Sequence, residues 1–137
     1  MDGVRWTKAT VIKMKQNMGC ALMSPYAVSK MLENSDRMIL LEDDSVPRKY
    51  FFEYMESCLD FYRDDPKVMS ITGYSIPIPE DLTKGYPYDV FYYPTIGSDG
   101  GWATWRRAWD KYEADLYELH RKLLEHHIDV YQGGGSL

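Results

Sequence analysis

A chain of 137 residues with 45% hydrophobic and 27% charged side chains has the size and balance of one globular domain with a sizeable core, which excludes a disordered or membrane-embedded composition. Its formal net charge of −5 excludes a nucleic-acid backbone as a partner for the surface as a whole. Cys20 and Cys58 lack metal-ligand spacing and are too few for a disulfide framework, so reduced thiols and a cytoplasmic setting are the expectation.

No apolar h-region follows Met1-Asp2-Gly3-Val4-Arg5, so no leader peptide is expected, and no apolar run approaches the ~18 residues that span a bilayer. Residues 4–15 are mixed and basic, with Ala9-Thr10-Val11-Ile12 as a short candidate strand. Asn17-Met18-Gly19 then punctuates the chain, as Asn and Gly do at turns. Ser24-Pro25 is a helix start signal, Ser as the cap and Pro at the first helical position. The helix is expected over residues 25–33, with Ala27, Val28, Met31 and Leu32 on its apolar side. Asn34-Ser35-Asp36 ends it. Met38-Ile39-Leu40-Leu41 reads as a strand buried on both faces, and it stops at three acids, Glu42-Asp43-Asp44.

Ser45-Val46-Pro47 is expected to open a second helix, in which Phe51, Phe52, Met55, Leu59 and Tyr62 recur at helical spacing and form the buried face. Asp64-Asp65-Pro66 stops it, because the residue before proline is pushed out of the α region. Residues 68–72 are the next strand, ending at Gly73. Helix, strand, helix, strand with short links predicts a parallel sheet with right-handed crossovers. Pro77, Pro79, Gly85 and Pro87 mark a loop-rich stretch, with Val90-Phe91-Tyr92-Tyr93 as a strand within it. Residues 97–101 form a glycine-rich loop, and residues 104–112 and 114–127 read as helices. Residues 133–137 have the composition of a flexible tail, which leaves 1–132 as a single domain.

The acids carry the first chemical argument. Carboxylates are almost never buried unpaired, so the strand must end at a surface or cleft, and in open α/β sheets ligands bind at the carboxyl ends of strands. Three adjacent carboxylates repel one another, and a divalent cation relieves the repulsion. An oxygen-only donor set suits Mg²⁺ or Mn²⁺, with substrate phosphates completing the shell. A solvated acidic turn is the plain alternative. Trp102, Trp105 and Trp109 fall at intervals of three and four, which is helical spacing, so Trp105 and Trp109 are expected in the core. Trp102 follows two glycines and is the candidate for stacking on a sugar ring. Arg106 and Arg107 suit either phosphate contact or a solvated helix face. His120, His126 and His127 suit solvated helix positions better than metal ligation.

The segments Asn17-Met18-Gly19, Ile39-Leu40-Leu41-Glu42-Asp43-Asp44-Ser45-Val46-Pro47 with Phe51-Phe52, residues 64–73, and Gly101-Trp102-Ala103-Thr104-Trp105-Arg106-Arg107-Ala108-Trp109 together resemble nucleotide-sugar glycosyltransferases of the GT-A fold, family-2-like. The acids stand where that family has its DXD-type motif. The resemblance covers roughly residues 17–112 and implies a partial GT-A, Rossmann-like α/β domain, a mainly parallel sheet flanked by helices. It implies Mn²⁺ or Mg²⁺ on Asp44, bridging the donor diphosphate, with Asp43 and Glu42 facing ribose and donor sugar. Asn17 is a further nucleotide-side position, although a simple turn accounts for Asn17 and Gly19 as well. Gly101 and Trp102 fall on the sugar or acceptor side. An inverting transferase needs a carboxylate to deprotonate the acceptor hydroxyl. Asp99 is the candidate base here, against the commoner role of Asp as a turn former.

The implied partners are a nucleoside-diphosphate sugar donor and a carbohydrate or glycolipid acceptor. Only sixteen residues precede Asn17, fewer than the family's usual nucleotide-binding front, so the resemblance implies the middle of such a domain. An uncovered strand edge there invites pairing with a second copy into a homo-oligomer. Two other classes compete. A response-regulator receiver domain also carries acids after an apolar strand, but the strand ending at Gly73 offers no phosphoacceptor Asp. A non-catalytic nucleotide-sugar or carbohydrate-binding module would keep the acids and the Trp platform and transfer nothing.

Overall fold

The computed structural model describes residues 7–74, 79–85, 87 and 100–126. Among them the elements follow in the order α1 (Cys20–Leu32), β1 (Arg37–Leu40), α2 (Phe51–Phe61), β2 (Ser70–Thr72), α3 (Glu80–Thr83), β3 (Trp102–Trp105), α4 (Arg106–Trp109) and α5 (Leu116–Glu125). The three strands form one sheet in the order β1-β3-β2, and both ladders are antiparallel. Ala103 sits opposite Ile39 on one side and Ile71 on the other.

The expected mainly parallel, Rossmann-like sheet is therefore corrected: no described ladder is parallel. Both β1 and β2 oppose β3, so they run the same way, and α2 links them as a crossover. What the pattern of strand, helix and strand does not reveal is a third strand inserted between the two. That strand was hidden by its tryptophans. Their spacing of three and four imitates a helix, but Trp102-Ala103-Thr104-Trp105 alternates across the sheet with period two. Only Arg106–Trp109, a single turn, is helical in the stretch where a helix over 104–112 is expected.

Alternation sorts the core into two layers. Met38, Leu40 and Trp102 face α1, where they meet Val28, Leu32 and Trp109. Ile39, Ala103, Trp105 and Ile71 face α2, where they meet Met55, Cys58 and Leu59. Thr104, 2% exposed, donates from its hydroxyl to the Met69 carbonyl at 2.8 Å and so stays satisfied inside.

The helices also shift from expectation. α1 begins at Cys20, with Gly19 at φ +69 before it, and Pro25 lies inside the helix rather than at its start. Burial of Val28 and Leu32 fixes the helix despite the hydrogen bond that proline lacks. Met31, expected on the apolar face, is exposed. α2 opens at Phe51, and Phe52 points to solvent, while Cys58 joins the buried face. The candidate strand at Ala9-Thr10-Val11-Ile12 is irregular chain, and the strand expected over 68–72 is confined to Ser70–Thr72. α5 is shorter than residues 114–127, is capped by the Asp115 carboxylate on the amides of Tyr117 and Glu118, and has no fully buried residue. The strand expected at Val90-Phe91-Tyr92-Tyr93, the tail at 133–137 and His127 lie outside the described residues. No described helix is long and apolar enough to cross a membrane.

Candidate functional site

The acids sit where β1 leaves the sheet. Leu41 lies just past β1, and the chain then enters a turn closed by Ser45 N donating to the Glu42 carbonyl at 3.2 Å. Glu42, Asp43 and Asp44 are all exposed. Below the turn lies a close-packed step. Gly101 is buried at φ +105, and a Cβ there would lie 2.7 Å from Leu41 Cδ2 and 2.9 Å from Phe51 Cζ. A Cβ on Gly73 would overlap the same Phe51 ring. Gly73 N donates to the Gly101 carbonyl at 3.0 Å, extending the β2–β3 ladder by one rung. The two glycines thus let the ring of Phe51, the first residue of α2, lie against the sheet near Leu41, the residue before the acids.

The turn divides two clefts. The larger, about 780 Å³, is walled by Asn17, Gly19, Cys20, Met23, Glu42 and Asp43, among others. The smaller, about 480 Å³, is walled by Glu42, Asp44, Ser45, Val46, Tyr74 and Gly100. Both volumes are in the range of small-molecule sites. Glu42 borders both, whereas Asp43 and Asp44 open on opposite sides. Asn17 accepts from Gly19 N through Oδ1 at 2.8 Å, an Asx turn that sets the start of α1. Asn17 is therefore a turn former and a cleft residue together.

Trp102 is half-buried, lies opposite Leu40 in the ladder and lines neither of these clefts. It faces a third cavity of about 450 Å³ with Trp109 and Tyr112, whose rings stack at 4.4 Å. The structure thus joins Asn17 to Glu42 and Asp43, joins Asp44 to Glu42, and sets Trp102 apart on the α1 side of the sheet. Asp99 lies outside the described residues. Two features escape a sequence reading. Tyr74 shares the cleft of Asp44, and its position just past a strand end was the available signal. Arg107 turns its guanidinium to the backbone: it donates to the carbonyls of Tyr62 (2.8 Å), Arg63 (2.7 Å) and Val68 (2.9 Å) and stacks 4.3 Å from the Trp105 ring. Arg106 likewise donates to the Ser35 carbonyl at 2.8 Å.

Among the described residues no three His, Cys, Asp or Glu side chains converge as a metal cage. Mg²⁺ ordinarily takes only one or two carboxylates and fills its shell with water and substrate phosphate. Exposed consecutive carboxylates in a turn offer that smaller donor set, so their chemistry fits such an ion held jointly with a diphosphate. No protein-family model, curated protein or solved structure matches the chain.

Proposed function

We propose that the chain is a metal-dependent glycosyltransferase, or the central part of one, that moves a sugar from a nucleoside-diphosphate donor to a hydroxyl of a carbohydrate or glycolipid acceptor. The observation that carries this reading is the acidic turn at the end of β1, standing between two clefts with Asp43 on one side and Asp44 on the other. A diphosphate bridges two dissimilar groups, nucleoside and sugar, and a divided site accommodates both. Asp44 would hold Mn²⁺ or Mg²⁺, which when bound acts as a Lewis acid on the departing diphosphate. Glu42 and Asp43 accept hydrogen bonds from ribose and sugar hydroxyls, and Asn17 shapes the nucleoside side. The placement of Trp102 away from the acids suits the acceptor side of the resemblance rather than the donor.

The test is a thermal-shift titration with MnCl₂ and UDP, GDP and ADP, on this chain and on Asp44→Ala. A ligand at about 100 times its dissociation constant stabilises by about 2.7 kcal/mol, a shift of several degrees for a domain of this size. The expected result is a shift that needs both metal and nucleotide and vanishes in Asp44→Ala. Equal shifts in the two proteins would sink the assignment of Asp44. Binding without sugar release or transfer would favour the non-catalytic binding module.

A further inference from the structure

The smaller cleft holds one aromatic side chain among its described walls, Tyr74. Its backbone is hydrogen-bonded to the end of β2. Thr72 Oγ1 accepts from Tyr74 N at 3.2 Å and donates to the Tyr74 carbonyl at 3.4 Å, and the preceding Gly73 is tied to the β2–β3 ladder. The residue is 55% exposed. A rigidly mounted aromatic presented to a cleft gives contact area at low entropic cost, because only the side-chain torsions remain to be ordered. The remaining walls are polar or small: the Glu42 and Asp44 carboxylates, the Ser45 hydroxyl, Gly100 and the Val46 side chain.

That combination matches the two-sided chemistry of a sugar ring. A pyranose has an apolar face of C–H groups and a rim of hydroxyl donors. The first needs a flat apolar surface and the second needs acceptors. The larger cleft has its carboxylates beside Asn17 and the start of α1 and shows no aromatic side chain among its described walls. We infer that Tyr74 is the residue on which the transferred sugar packs, so that it sets sugar affinity in the smaller cleft while the nucleoside occupies the larger. This rests on the glycosyltransferase reading above.

The test compares wild type, Tyr74→Ala, Tyr74→Phe and Val46→Trp as full chains. Calorimetry with MnCl₂ measures UDP, GDP and ADP against UDP-glucose, UDP-galactose, GDP-mannose and ADP-glucose. The expected result is that wild type binds one sugar conjugate more tightly than its parent diphosphate. Tyr74→Ala should keep the affinity for the diphosphate and lose about 3- to 10-fold in affinity for the conjugate, the size of an aromatic packing contact. Tyr74→Phe should retain that margin. Val46→Trp, at a 91% exposed position on the same cleft, should narrow it and lose the conjugate alone. An unchanged margin in both Tyr74→Ala and Val46→Trp, or an equal loss for diphosphate and conjugate, overturns the role of Tyr74 and leaves the donor site standing. Absence of any nucleoside diphosphate binding in wild type overturns the glycosyltransferase reading and this inference together.

Discussion

Arg107 ties the end of α2 to the chain that leads into β2. The structure gives it three carbonyls, two just past the C-terminus of α2 and one just before β2. A helix leaves its last carbonyls without intrahelical partners, and a cation there also meets the negative end of the helix dipole. The planar guanidinium serves three acceptors while its face lies over Trp105, and no lysine reproduces that geometry. Arg107→Ala should lower unfolding free energy in urea by about 2–3 kcal/mol, from lost charged hydrogen bonds, and Arg107→Lys should recover only part. A change under about 0.5 kcal/mol, the usual range for surface substitutions, would show that the carbonyls are served by water instead. The partners of Arg107 are 39 to 45 residues away, so no local pattern encodes them. The acids, by contrast, were legible because their chemistry is local: an apolar run that stops at three carboxylates must surface where it stops.

At the scale of elements, burial was legible in part, at Val28, Leu32, Met55 and Leu59 but not at Met31, Leu41, Phe52 or Cys58, and strand pairing was not legible. The strand ending in acids, the Met55 and Leu59 part of the buried face of α2 and the turn at Asn17 follow from periodicity and turn chemistry. The direction of the sheet does not, because it depends on β3, and the four residues of β3 carry a tryptophan spacing shared with helices. Glycines at 73 and 101 signal a turn in sequence, yet their use is to admit the Phe51 ring against the sheet. The position of β3 makes a direct test possible. Ala103 faces Ile39 and Ile71 at once, so its backbone protons should give cross-strand nuclear Overhauser effects to both residues. β3 amides, bonded on both sides, should also exchange with solvent more slowly than those of the edge strands β1 and β2. α5, with no fully buried residue, should exchange fastest of the longer helices. Direct Ile39–Ile71 contacts with none to Ala103 would instead indicate a parallel β1–β2 pair.

For the molecule as a whole, the charges that hold elements together define a window of pH. Asp60, on α2, is held below its ordinary range chiefly by its hydrogen bond to Arg37 on β1, with Arg63 adding to the effect. Glu113 is lowered by Lys122, and Glu118 by Arg121. A carboxylate with a depressed folded pKa contributes stability above its unfolded pKa and loses it as pH falls through the folded value. These exposed pairs are individually weak, and their contributions are lost together as pH falls below about 4.5, where unfolded Glu and Asp begin to protonate. The alkaline side runs the other way. Burial pushes Tyr54 up to about 12, and its hydroxyl donates to the Thr72 carbonyl at 3.3 Å, while burial also raises Cys58. A group with a raised folded pKa contributes stability below its unfolded value and loses it as pH rises through the folded one. Tyr54 therefore stabilises fully below about pH 10 and loses that contribution between pH 10 and about 12. Thermal melting should accordingly show a plateau bounded by an acid limb and an alkaline limb. Tyr54→Phe removes the tyrosine titration and should flatten the upper part of the alkaline limb without moving the acid one. Asp60→Asn should do the converse, shallowing the acid limb alone. Identical limbs in both variants would place the pH sensitivity elsewhere in the chain. Because Thr72 anchors Tyr74 as well as Tyr54, the alkaline limb also reports on the end of β2 that borders the acidic turn.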